Sequence, residues 1–87
     1  MNNTLTARER KHLAQVKDLP CSVCDSAGPS DAHHFKQGLQ YTCIALCPDC
    51  HTGSHNGWHG RKALWNVMHM TEIDALNVTI RRLFNGA

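Results

Sequence analysis

Apolar positions recur at helical spacing near both ends of the chain and cluster only briefly in between. Over residues 4–19, Leu13 and Val16 form one thin apolar stripe. Thr6, with Glu9 three residues later, has the pattern of a capping box, so the segment reads as a helix that Pro20 ends. At the other end Thr71, with Asp74 three residues on, caps a last helix. There Ile73, Leu76, Ile80, Leu83 and Phe84 follow the 3, 4, 7 spacing of a single face, which predicts core positions. Residues 61–70, with Leu64, Trp65, Val67 and Met68, also read as helical. Between these ends, Asp25–Asp31 is a Gly/Pro/Ser loop, and Ala32–Phe35 reads as a short strand. Lys36-Gln37-Gly38 turns the chain into a second strand over Gln40–Leu46, and a short helix is expected over Cys50–Asn56. The expected class is therefore α+β, a β-hairpin with flanking helices, divided into a basic helix at 1–19 and a core at 20–87.

Eighty-seven residues make one small domain whose core needs help, such as a metal. Four of the five cysteines supply it: Cys21-x-x-Cys24 and Cys47-x-x-Cys50 are two knuckles 22 residues apart, a full ligand set for structural zinc. Cys43 is left over, a small buried hydrophobe or an extra zinc ligand. The polar start at Met1–Thr6 has no leader-like apolar run, and no stretch is long enough to span a membrane. A cytoplasmic location, where paired knuckles bind metal rather than form disulfides, is the expectation. Net charge is only +2, but Arg8, Arg10, Lys11, Lys17, Lys36, Arg61, Lys62, Arg81 and Arg82 lie outside the thiolate site and suggest an anionic partner. A pI of 8.4 is below the usual nucleic-acid signature. The N-terminal basic residues read either as a solvated face or as phosphate contacts.

Five of the seven histidines fall between the first knuckle and His59. Neighbours on a strand face opposite ways, so His33 and His34 should do different jobs, one facing a metal and the other a substrate. On a helix His51 and His55 would share a face, the spacing that lets two imidazoles hold one ion. Three histidine ligands leave positions open for water or phosphate, and a remaining histidine can act as a general base. Alternatively His33, His51, His55 and His59 bind a second structural zinc, and His59 replaces His55 if the helix begins later than Cys50.

The pair Ala32-His33-His34, the hairpin, the run Cys43-Ile-Ala-Leu-Cys47-Pro-Asp-Cys50-His51 and the later His55 resemble the HNH, or ββα-metal, endonucleases. Residues 21–84 resemble more narrowly the phage recombination-enhancement (Ref) nucleases, which cut DNA in dependence on RecA. Ser-Asp-Ala-His-His (30–34), Leu-Gln-Tyr-Thr-Cys-Ile (39–44) and His-Asn-Gly-Trp-His-Gly (55–60) carry that likeness. The resemblance implies a zinc-stapled ββα-metal fold, with His34 as the base that activates water. It also implies His33, His51 and His55 as ligands of a catalytic divalent ion (magnesium, manganese or zinc). Its partners would be DNA and a RecA filament, with no membrane. The family's central asparagine is missing, and Thr42 or Gln40 stands nearest to its place. Lys36, Arg61 and Lys62 are candidates to clamp phosphate. The sequence sets no oligomeric state, although so small a nuclease would need two copies to cut both strands in one encounter. The competing expectation is a zinc-binding module that contacts nucleic acid or protein without cutting.

Overall fold

A computed structural model describes residues 4–86. Met1–Asn3 and Ala87 lie outside it, and with them the first half of the leader reading and the outer ends of the 1–19 and 20–87 segments. The elements run α1 (Ala7–Lys17), β1 (Asp31–His34), β2 (Cys43–Leu46), α2 (Pro48–Thr52), α3 (Ala63–Val67) and α4 (Glu72–Asn85). Thr6 and Thr71 both close the capping boxes their sequences predict.

The two strands pair antiparallel, with His33 opposite Ile44 and His34 opposite Cys43. β2 is buried on both faces, so its alternating side chains feed two apolar clusters. Ile44 and Leu46 pack with Cys21, Val23, Cys50, Trp65, Ala75 and Leu76. Cys43 and Ala45 pack with Val16 and Leu19, so the basic helix α1 closes the second cluster as part of the same body. A buried hydroxyl pair ties α4 to both. The Thr79 hydroxyl donates to Ala75 O (3.0 Å), receives the Ser22 hydroxyl (2.7 Å) and accepts the Ala45 N–H (3.2 Å). Arg82 reaches the carbonyl of Cys21 (3.2 Å) and pairs with Asp25, holding the first knuckle to α4.

Four elements differ from the sequence expectation. The second strand begins at Cys43 rather than Gln40, because Gly38, at φ 88°, turns the chain and Thr42 N–H bonds back to Leu39 O. α2 begins at Pro48 and stops at Thr52, so His51 and His55 do not share a helix. Cys47 is its N-cap, and Gly53, at ψ 139°, leaves the helical path. α3 is confined to Ala63–Val67 between left-handed residues Lys62 and His69. The apolar stripe of α4 is only partly core. Ala75, Leu76 and Thr79 are buried, whereas Ile73 (56%), Ile80 (38%) and Phe84 (87%) are exposed. The reason is length: fourteen helical residues reach about 21 Å, while a four-residue strand offers about 13 Å to pack against.

Trp65 is the largest fully buried side chain. Its indole N–H donates to Cys50 O (2.9 Å), and its ring lies 4.8 Å from that of Trp58. Trp65→Ala should therefore cost about 3–5 kcal/mol, read as a lower urea midpoint in zinc-loaded protein.

Candidate metal centres

The first centre is built by two turns. Cys21 and Cys24 lie in a knuckle closed by Cys21 N–H to Ser26 O and Asp25 N–H to Cys21 O. Cys47 and Cys50 bracket the start of α2, where Pro48 fits the first helical position and Cys50 N–H points at the Cys47 sulfur (3.4 Å). The four sulfurs lie within 4.8 Å of one another. Cys24 and Cys47 sulfurs are 3.6 Å apart, and all five cysteines are free thiols. A tetrahedron with zinc–sulfur bonds of 2.3 Å has an edge of about 3.8 Å, so this donor set fits a structural zinc. Cys43 stands apart in the strand, buried, its thiol pushed up to about 11 by burial.

The thiols themselves are tuned unequally. Burial raises Cys21, and burial with the neighbouring Cys21 and Cys47 raises Cys50 far more. Burial also acts on Cys24, but hydrogen bonds from Ser26, Cys21 and Cys47 outweigh it and bring that exposed thiol down to about 7.

The second centre draws from three segments. His33 of β1, His51 of α2 and His59 of the following loop bring one ring nitrogen each within 4.8 Å of the others. Their ring centroids form a near-equilateral triangle of 5.1, 5.1 and 5.2 Å, with the planes tilted 58–70°. His33 is buried, His51 half-buried and His59 exposed, so the group opens to solvent on one side. Two carboxylates that the sequence analysis did not single out hold it. Glu72 of α4 accepts from His33 Nε2 (2.6 Å), and Asp31 accepts from His51 Nδ1 (3.0 Å). Those bonds leave Nδ1 of His33 and Nε2 of His51 as lone-pair nitrogens, the arrangement carboxylates impose on metal-binding histidines. Asp31 could have been found by strand alternation, two residues before His33 on the same side. Glu72 leaves no such local trace.

His55, expected from the resemblance as the third ligand, is not brought into this group. It lines an open recess of about 300 Å³ with Ser54 and Arg61. The loop explains the exchange. His59 N–H bonds to His51 O (3.1 Å), and Gly57 and Gly60 lie so close to Gly53 O that an added Cβ would sit 2.5 and 2.4 Å from it. Glycine alone permits that crossing, which carries His59 back over α2.

His34 turns to the other side of β1. Its Nε2 lies 2.7 Å from Gln40 Oε1, an acceptor, so Nε2 carries the proton and Nδ1 keeps a lone pair. His34 and Gln40 border a cleft of about 720 Å³ between α1, which contributes Glu9 and Leu13, and the turn at Gln37–Gly38. Lys36 is exposed in that turn, and Lys62 Nζ sits 4.2 Å from the Trp58 ring centroid.

Burial lowers the His33 pKa below its usual value, with Glu72 opposing and His51 and His59 adding to the shift. The imidazole is thus neutral, the form that binds metal. The unfolded chain takes up this proton first, so stability is full above about pH 6.5 and falls as pH drops below it. Melting temperatures from pH 7.5 to 5.5 should decline in wild type and decline less in His33→Gln.

Among the described residues no helix is long and apolar enough to cross a membrane. Protein-family models, curated proteins and solved structures yield no match to this chain.

Proposed function

We propose that this chain is a zinc-stapled, metal-dependent endonuclease of the HNH type that hydrolyses DNA phosphodiester bonds. The observation that carries the reading is the convergence of His33, His51 and His59, two of them anchored by carboxylates, with His34, the sequence neighbour of His33 on the opposite side of β1, held in one tautomer by Gln40. The order of hairpin, then α2, with ligands from both, also supports a ββα-metal arrangement. A divalent ion held by the three imidazoles would stabilise the charge that develops on the leaving oxygen.

The chain's own residues do the rest. His34 Nδ1 takes a proton from water as the water oxygen bonds to phosphorus and the P–O bond to the leaving group breaks. Gln40 keeps the ring oriented, in the place of the asparagine that the resemblance leads one to expect. Arg61, exposed two residues from His59, is the chain's candidate to meet phosphate. The resemblance extends the reading to DNA cut alongside a RecA filament. One observation favours a second reading: the three imidazoles come from a strand, a helix and a loop, so an ion there would also staple the fold as a non-catalytic module.

Nicking of supercoiled plasmid and cutting of single strands, with magnesium, manganese or zinc and with or without a RecA filament, tests the choice. Cleavage that requires added metal supports the nuclease. Two tightly held zincs per chain and no cleavage under any condition would move the assignment to the module.

A further inference from the structure

The exposed residues of α4 form one continuous feature. Ile73, Ile80 and Phe84 stand at spacings of seven and four, on one helical face about 17 Å long. At its C-terminal half this face becomes one wall of a groove of about 310 Å³, with Ile80, Leu83 and Phe84 opposite His12 and Gln15 of α1 and with half-exposed Tyr41 between them. The His12 ring meets that of Tyr41 in a tilted contact, with centroids 5.0 Å apart and planes at 58°, and its Nε2 is buried without a hydrogen-bond partner among the described residues. A contiguous apolar groove of this kind marks a binding surface.

We infer that the α1–α4 groove docks an acidic, amphipathic helical segment of a partner protein. Charge selects that occupant. Arg8 and Lys11 lie within one turn of His12 on α1, and Arg81 flanks Phe84 on α4, all exposed. Among the described residues no acidic side chain lines the groove. A second copy of the chain would bring these cations face to face, whereas carboxylates beside apolar anchors complement them. A helix laid along this face and into the groove would cover Ile73, Ile80 and Phe84 with anchors at matching spacing. The aliphatic share of the stripe (Ile73, Ile80, Leu83) suits side chains better than stacked bases, which favour aromatic platforms. This inference stands independently of the nuclease reading.

The test uses the full zinc-loaded chain and a fluorescein-labelled synthetic helix carrying Leu and Phe at i, i+4, i+7 and i+11 and Glu elsewhere. Anisotropy should show saturable binding that weakens at least tenfold in Ile80→Ser/Phe84→Ser and in Lys11→Glu/Arg81→Glu. Both pairs lie at exposed positions, and unchanged circular dichroism verifies folding. A Lys-for-Glu version of the peptide should bind the charge-reversed variant in preference to wild type. The inference is overturned by absence of saturable binding, or by equal binding of a peptide whose anchors are replaced with serine. Competition by an oligo-dT strand that depends on Phe84 would assign the face to nucleic acid instead. A dimer in sedimentation that Phe84→Ser dissolves would assign it to a second copy.

Discussion

Cys50→Ser is expected to leave a chain without a cooperative folding transition, and excess chelator should do the same to the wild type. Cys50 is fully buried beside Cys21, and without a cation its thiol is held far above the ordinary range. The buried sulfurs become acceptable only when a cation offsets their ionised form, so metal binding and folding are one equilibrium. A structural zinc contributes on the order of 10 kcal/mol or more, against a total of about 5–15 kcal/mol for a domain. The core supports this ranking: Cys21 and Cys50 belong to the cluster around Ile44, Leu46 and Trp65, so their movement opens it. Cys43→Ser is the control. Its sulfur donates to Gln40 O (3.2 Å) and takes no part in the cluster, so zinc content should stay at the wild-type level while stability falls by about 1–3 kcal/mol. Circular dichroism, Trp fluorescence and elemental zinc on the same samples read all three. A Cys50→Ser protein that melts like wild type would show that the knuckles are not a folding device.

The parts of this molecule that were legible beforehand are those written in local spacing. Both capping boxes, the two knuckles and the different surroundings of His33 and His34 each depend on residues at most four apart. The third histidine was not legible in that way. Spacing on a presumed helix favours His55 over His59, and only the close packing of Gly57 and Gly60 on Gly53 explains why the loop delivers His59 instead. Glu72 reaches His33 across 39 positions, a pairing that exists only after α4 docks on β2. Periodicity also overstated the core of α4, because it reports which residues share a face and not how much partner surface that face meets. The same mismatch produces the groove that carries the docking inference.

His34→Ala should reduce metal-dependent cleavage by about 10²- to 10⁴-fold, the usual share of a positioned general base, with zinc content and melting temperature unchanged. The different partners of the two histidines make this outcome specific. His34 bonds Gln40 at the α1 cleft, whereas His33 bonds Glu72 in the imidazole triangle, so removing one ring does not dismantle the other site. Gln40→Ala frees the ring without removing it, and its rate should fall between those of wild type and His34→Ala. His59→Ala should lose the second metal and cleavage together. Glu72→Ala should weaken metal affinity about 10- to 100-fold, as loss of a carboxylate behind a ligand does. His55→Ala should keep the metal and lose only DNA affinity, if it changes at all. An inverted pattern, with His55→Ala stripping the metal and His59→Ala silent, would restore the helix spacing as the guide to the ligands and remove the basis for the imidazole triangle. Full cleavage by His34→Ala would sink the assignment of the base, which rests on the tautomer that Gln40 sets at the edge of the α1 cleft.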